Sequence, residues 1–334
     1  MSDFDVGVVG AGWMATDYHI PAYRDHPSTA VRAIAEVNAE RRDDAAERFN
    51  IRGYEDAAAM LAAEDLDVVS VCTPPSTHED VFLAAADAGC HVFCEKPLAT
   101  DADAARAMRR AADEAGIVTQ VGYLHRYYEN SKKAMRIVEE GLLGSLVEVR
   151  TLHHSAAPGG SWYYDPEVSG GGVLRDLLPH TLDIYVDLFG AASVERASAR
   201  DLAGRGVEDA GDVALRFESL EGVPVEAAVS WSQPDGFWRT TVVGTDGWLA
   251  FGPEKLDGDV HGRGFEFEHG DLPIADIGLA KLYGANEDDA GRERLWDFID
   301  HVAAGDRDTA APVERGVAVA EAIDACYELT GESA

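Results

Sequence analysis

Lysine is scarce in this sequence: among 334 residues there are five (Lys96, Lys132, Lys133, Lys255 and Lys281). One of them stands in VFCEKPLATD, directly after a short apolar run and immediately before a proline. An ammonium group at the carboxyl end of a buried strand lies where ligands gather in doubly wound sheets, and it can steady negative charge on an oxygen. A second pattern lies upstream. VGVVGAGWMA holds Gly10-x-Gly12-x-x-Ala15, with Trp13 and Met14 inside it, directly after an apolar run and leading into helical sequence. Gly10 permits a tight turn, Gly12 lets a pyrophosphate approach the backbone, and Ala15 keeps the helix close to the sheet, so that the helix N-terminus faces the phosphates. Glu36, in AIAEVN, falls where a carboxylate accepts hydrogen bonds from the adenosine ribose hydroxyls. A 2'-phosphate there would meet a like charge, at about 4 kcal/mol for a separation of about 4 Å and an effective dielectric of about 20. The expected cofactor is therefore NAD. Arg41 and Arg42 keep NADP open, since either reaches toward a 2'-phosphate unless both belong to a solvated helix face.

The elements that would hold these residues are legible as patterns. Up to residue 122, short apolar runs (FDVGVVG, VRAIAE, DVVSVC, HVFC, VTQVG) alternate with helical stretches at 39–49, 78–88 and 101–115. Strands without polar alternation, divided by helices, indicate a parallel sheet covered on both faces. From about residue 146 the texture changes to LVEVRTLHH, DVALRF, VPVEAAVSW, TTVVG and GWLAF, with a helical segment over 173–189. That is an α+β pattern with an antiparallel sheet presenting one face to a partner. Helical periodicity returns over 287–304 and 312–330. The expected fold is α/β: an N-terminal doubly wound Rossmann domain over 1–122, then an α+β domain with a mostly antiparallel sheet over 123–334, whose last helix can pack back on the first domain.

Composition narrows the partners. Asp and Glu number 61 against 28 Lys and Arg, a formal net charge of -33. Nucleic acid and anionic membrane surfaces repel such a chain. Carboxylates this dense repel one another until salt screens them, which points to a halophile's protein. Cys72, Cys90, Cys94 and Cys326 form no C-x-x-C pair and mostly sit in or beside apolar runs, so buried free thiols in a reducing compartment are expected. The acidic opening MSDFDVGVVG lacks a signal-like apolar region, and no stretch has the length of a membrane span; a soluble cytoplasmic protein is expected. A metal site is not: adjacent residues His153 and His154 point to opposite faces of a strand, with no partner at ligand spacing. Neither G-x-S-x-G nor a P-loop occurs, so acyl and P-loop phosphoryl transfer have no support.

With VCTPPSTHEDV, CHVFCEKPLA and SGGGVLRDLLPHTLDI added to the glycine motif, the chain resembles the Gfo/Idh/MocA oxidoreductases along nearly its whole length. The resemblance implies a Rossmann domain followed by an open, mostly antiparallel sheet domain, with nicotinamide and substrate meeting between them. It implies oxidation of a ring hydroxyl of a sugar or polyol, or the reverse reduction, and association into a homo-oligomer, a dimer or tetramer, through the second sheet. Lys96, Asp176 and His180 carry over as catalytic positions, and Asp183 as a substrate contact. Thr73, Pro74, Pro75, His78 and Glu95 match segments that line the cofactor, and a cis peptide is implied before Pro97. Leu178 and Pro179 depart from the family pattern, which often has glycine at the first of these. Asp176 and His180 would share one face of a straight helix, but a proline inside a helix bends it.

Oxidising an alcohol needs a base for the hydroxyl proton and a donor that steadies the developing oxyanion. His180, with an ordinary pKa near 6.5, suits the first role. Lys96 suits the second, and Asp176 would fix the imidazole or the substrate hydroxyl. A lowered pKa would instead make Lys96 the base. Bland alternatives stand beside these: a surface lysine, a satisfied core histidine and a helix-surface carboxylate. Trp162, Tyr163 and Tyr164 either pack a loop or cover the apolar face of a sugar. Arg126 approaches the nicotinamide or the substrate, or else forms a surface salt bridge, and His154 is a candidate for lining the cleft. Rival functions are a regulatory protein of the same fold that binds dinucleotide without turnover, and a reductase of a non-sugar carbonyl or conjugated double bond.

Overall fold

Apolar runs without alternation become parallel strands in the computed structural model, which describes residues 3–268 and 290–331. The chain divides into two compact units, Met1–Tyr123 with Glu167–Gly170 and Asp289–Ala320, and Leu124–Pro166 with Gly171–Asp288 and Glu321–Ala334. In the first, β1 (Phe4–Val9), β2 (Thr29–Ala35), β3 (Arg52–Tyr54), β4 (Val68–Val71), β5 (His91–Cys94) and β6 (Thr119–Val121) form one parallel sheet. Their order is β3-β2-β1-β4-β5-β6. The order reverses between β1 and β4, the place where such sheets bind ligands at their carboxyl ends.

The connections are α1 (Ile20–Asp25), α2 (Ala39–Phe49), α3 (Ala57–Ala63), α4 (His78–Asp87) and α5 (Ala102–Ala115). α5 shows how locally the sequence dictates them. Asp101 caps it by accepting from Ala104 N at 2.8 Å, Met108 and Ala112 bury one face, and Gly116 ends it at φ 67°. The core of this unit also takes in a distant segment. α10 (Ala290–Ala304) buries Leu295, Phe298 and Ile299 beside Val6, Val8, Ile34 and Phe93. A boundary drawn at residue 122 misses this helix, because its apolar stripe does not say which sheet it covers.

In the second unit, α6 (Glu129–Glu139) precedes β7 (Leu146–Ala156), and the short helices α7 (Pro166–Ser169) and α8 (Val173–Asp176) precede α9 (Leu178–Phe189). There follow β8 (Ala192–Arg200), β9 (Ala210–Phe217), β10 (Val225–Ser230), β11 (Ser232–Gly244), β12 (Gly247–Phe251), β13 (Lys255–Val260) and β14 (Arg263–Glu268). These strands pair in the order β14-β13-β12-β11-β7-β10-β9-β8. β7 and β10 run parallel and the other neighbours antiparallel. α6 and α9 bury Ala134, Ile137, Leu178, Leu182 and Tyr185. Along β7, buried Val149, Thr151 and His153 alternate with more exposed neighbours, so His153 points inward and His154 does not. α11 (Val313–Thr330) supplies residues up to Ala320 to the first unit and the remainder to the second.

The segment over 173–189 is not one bent helix. α8 ends at Asp176, Leu177 intervenes, and Pro179 falls in the first turn of α9. There its missing N–H would have had no partner anyway, so Pro179 starts a helix instead of kinking one. The expected helix over 287–304 is described from Ala290 onward; residues 287–289 lie outside the described residues. All four cysteines are unpaired thiols, and burial pushes Cys90 up to about 11. Among the described residues, no helix is long and apolar enough to cross a membrane.

Candidate active site

The glycine motif of the first unit behaves as its residue types require. Gly10 has φ 97°, and a Cβ there would lie 2.7 Å from the Cys72 carbonyl oxygen. A Cβ on Gly12 would meet nothing within 4 Å, so the backbone is open at that position. After it the chain makes a wide π-helical turn, Met14–His19, with Ala15 buried and Trp13 62% exposed beside it. Glu36 ties this turn to the start of α2. One carboxylate oxygen accepts from Ala11 N and the other from Asn38 N, each at 2.8 Å. Arg42 donates to the Glu36 carbonyl oxygen at 3.1 Å, which holds it to the helix edge, where the sequence had left its role open.

At the carboxyl end of β4, Thr73 and Pro74 lead into the turn Pro75–Thr77 that opens α4. The buried Thr73 Oγ1 has no hydrogen-bond partner among the described residues. An orphaned hydroxyl near an open glycine turn, with a carboxylate at the tip of the next strand, fits a dinucleotide. Glu36 would hold the ribose hydroxyls, the backbone at Gly12 the pyrophosphate, and the Thr73 hydroxyl a polar group of the cofactor. His78 is buried between two carbonyls: Nε2 lies 2.8 Å from Thr73 O and Nδ1 2.9 Å from Pro97 O. It therefore joins the Thr73 segment to the Lys96 segment. Burial pushes its pKa down, while the carbonyls of Thr73, Pro97 and Leu98 pull it up.

Lys96 is half-buried one residue beyond the buried Glu95, and the Lys96–Pro97 peptide is cis, as the resemblance implied. The Glu95 carboxylate is held inside the unit by His19 Nε2 at 2.9 Å and Arg294 Nη2 at 2.7 Å. Its other oxygen accepts from Lys96 N at 3.2 Å. Burial alone would raise the Glu95 pKa, but the guanidinium of Arg294 and the His19 ring hold it well below the usual carboxylate range. Arg294 also donates to the Gly122 carbonyl at 2.9 Å. Glu95 thus braces the turn that carries Lys96. Neither His19 nor Arg294 stood out in the sequence, because their partners are far away along the chain.

In the second unit, Asp176 at the end of α8 accepts from Trp231 Nε1 at 3.0 Å. Trp231 in turn meets Tyr163 and Tyr164 edge-on, with centroids 6.5 and 5.9 Å apart. Trp162 stacks on Tyr163 at 3.7 Å, so the aromatic turn is tied through Trp231 to the Asp176 carboxylate. α8 itself is set by Glu208, a residue the sequence did not single out. Its carboxylate accepts from Gly172 N and Leu174 N at 3.0 Å and from the Tyr327 hydroxyl at 2.7 Å. Burial raises the Glu208 pKa against the pull of those donors. A Cβ on Gly171 would lie 2.0 Å from the Tyr327 hydroxyl oxygen, and one on Gly172 2.1 Å from the Glu208 carbonyl oxygen. The glycines of SGGGVLRD are there for close approach.

His180, in the first turns of α9, is buried in a group of rings. His125 stacks on it with centroids 4.1 Å apart and planes at 15°, and His153 lies at 6.2 Å. Trp238, which pairs with His153 across β7 and β11, reaches His125 at 4.2 Å. Strand alternation puts His154, paired with Phe237, on the other side of the sheet from His153, so the ring cluster includes His153 and not His154. Arg126 Nε lies 3.1 Å from Asp183 Oδ2, and its other arm pairs with Asp187. Arg126 thus does form a salt bridge, but a buried one that includes Asp183 and not the surface pair expected as its alternative role. His125 and Trp238 were missed; the only signal for His125 was its place beside Arg126.

The first unit thus has a dinucleotide fold with a carboxylate bound at its glycine turn, and the second holds Asp176 against Trp231 and His180 against His125. Two family models match: an oxidoreductase family with NAD-binding Rossmann fold over residues 4–123, and the GFO/IDH/MocA C-terminal domain over residues 131–250. The chain belongs to the Gfo/Idh/MocA oxidoreductases. It is 31% identical over 210 residues to the D-glucoside 3-dehydrogenase of Escherichia coli, covering 62% of this chain and 60% of that protein. It is 28% identical over 295 residues to the levoglucosan dehydrogenase of Pseudarthrobacter phenanthrenivorans, covering 77% and 75%. With the inositol 2-dehydrogenase of Rhodococcus erythropolis it shares 31% over 250 residues, covering 72% and 70%. A solved levoglucosan dehydrogenase in complex with NADH and levoglucosan has the same fold, with TM-score 0.85 at 23% identity over 99% of this chain and 98% of that one.

Proposed function

We propose that this oxidoreductase uses NAD to oxidise a ring hydroxyl of a sugar or polyol, with Lys96, Asp176 and His180 as its working side chains. NAD, when bound, supplies the acceptor for the hydride. The chain supplies the rest. Glu36 selects an unphosphorylated ribose by charge, and the Gly12 backbone leaves room for the pyrophosphate. His180 takes the hydroxyl proton on a ring nitrogen and Asp176, held by Trp231, fixes the substrate hydroxyl or the imidazole. Lys96, on the braced turn after Glu95, steadies charge developing on the substrate oxygen.

The observation that carries the reading is His180 packed into a buried imidazole and indole group within the same unit as an anchored Asp176. Relatives named for a glucoside, for levoglucosan and for inositol support a ring substrate. Association of identical chains through the second sheet is part of the same proposal. Incubating the protein with NAD and a panel of aldoses, glycosides and polyols in high salt, while following NADH absorbance, tests it. NADH formed with at least one ring substrate is the expected result. Tight NAD binding with no turnover on any of them would favour a regulatory protein, and NADH consumed only with non-sugar carbonyls or conjugated alkenes would favour a reductase.

A further inference from the structure

His125 sits at the centre of the ring cluster. It opens a 3-10 turn, His125–Tyr127, and is buried with its ring between Trp238 and His180. The stack is close: 4.1 Å and 15° toward His180, 4.2 Å and 32° toward Trp238. His153 leans on both imidazoles, at 4.9 Å from His125 and 6.2 Å from His180. Near-parallel rings keep their nitrogens in two separate planes, so His125 and His180 do not point nitrogens at each other. The pair is built for packing and not for a hydrogen bond between the rings or a shared metal ion.

The backbone just after His125 is fastened as well. Arg126, the residue after His125, forms an ion pair with Asp183 and Asp187 on α9, the helix that carries His180. One contact therefore fixes the turn to the helix and a second, the ring stack, fixes imidazole to imidazole. This matters because rotation about the last bond of a histidine side chain is broad, with no deep staggered wells. A base must nevertheless present its lone pair in one direction, and small misplacements are costly in rate.

We propose that His125 is a positioning residue: clamped by Trp238, its ring fixes the plane of the His180 imidazole and so the direction in which His180 takes a proton. The proposal rests on the reading of His180 as the base. A flat ring of any chemistry at position 125 keeps the stack, whereas a small aliphatic side chain releases it. That difference separates positioning from a chemical role for the second imidazole.

The test is a set of variants, His125→Ala, His125→Phe and Trp238→Leu, followed by steady-state kinetics on the best ring substrate and by proton NMR of the histidine rings in the resting protein. His125→Ala is expected to lower kcat by about tenfold to a hundredfold with the KM for NAD unchanged, and His125→Phe to recover all but about threefold of that loss. Trp238→Leu should lower kcat in the same sense by a smaller factor. In the NMR spectra the His180 ring protons, assigned by loss in His180→Gln, should lose their stacking shift in His125→Ala and keep a shift in His125→Phe. Unaltered kcat in His125→Ala and Trp238→Leu, or His125→Phe as impaired as His125→Ala, would overturn the proposal. A wild-type protein inactive on every ring substrate would instead sink the functional reading. The NMR comparison would then still judge the stack, since unmoved His180 resonances in His125→Ala overturn it whatever the substrate.

Discussion

Glu95 is a carboxylate removed from water and held by Arg294 and His19, and such a group contributes stability only while both charges are present. Arg294→Met would leave it buried with one partner, and a loss of about 3 kcal/mol in denaturant unfolding is expected. The pH dependence has a definite sign. Because its folded pKa is depressed, Glu95 stabilises the protein fully above its unfolded value of about 4.3, and that contribution fades as pH falls toward the folded value. The stability gap between wild type and Glu95→Gln should therefore be constant from neutrality to about pH 5 and shrink below about 4.3; a gap that widens in acid would contradict the assignment. Lys96, Gly10, Gly12 and Glu36 were legible in the sequence because each answers to a short-range pattern. His19, Arg294, His125 and Trp238 were not, because a buried partner 275 positions away, as Arg294 is from His19, leaves no local mark.

The break between α8 and α9 shows how elements are aimed. Gly172 N and Leu174 N at the start of α8 both donate to Glu208, and Tyr327 of α11 donates to the same carboxylate. This anchors the short helix that ends in Asp176. Removing the acceptor with Glu208→Ala strands three donors in a buried place, at a cost of about 3 kcal/mol by thermal or denaturant unfolding. Stability unchanged in this variant would show that the anchor contributes nothing. The helix break itself was half legible. Pro179 announced that a straight helix over 173–189 was wrong, but whether proline bends a helix or begins one depends on where the preceding backbone is tied, and Glu208 is the tie. β3 and α3 escaped notice because RGY is three residues long and AAAMLAA has no polar face to set a period. β8, β13 and β14, with ASVERASAR and RGFEFE among them, were not singled out in the sequence either, although RGFEFE has the alternation of a half-buried strand.

Taken together, 61 acidic against 28 basic side chains make long-range repulsion a property of the entire fold and of no single site. Raising KCl from dilute buffer to about molar shortens the screening length from about 10 Å to about 3 Å, so the melting temperature should climb with salt. An unchanged melting temperature would count against a protein adapted to high salt. Of the architecture, the parallel and the mostly antiparallel character of the two sheets and the helices α2, α4 and α5 were readable, since apolar periodicity reports local structure. The return of α10 to the first unit was not, since a helix stripe names no partner. The proposed chemistry needs the ammonium group of Lys96, carried on the braced turn after β5. The direct test is Lys96→Met, assayed in high salt with NAD and the best ring substrate, alongside NAD binding by fluorescence. The account predicts turnover lower by on the order of a hundredfold or more with NAD affinity largely retained; near-normal turnover would contradict it.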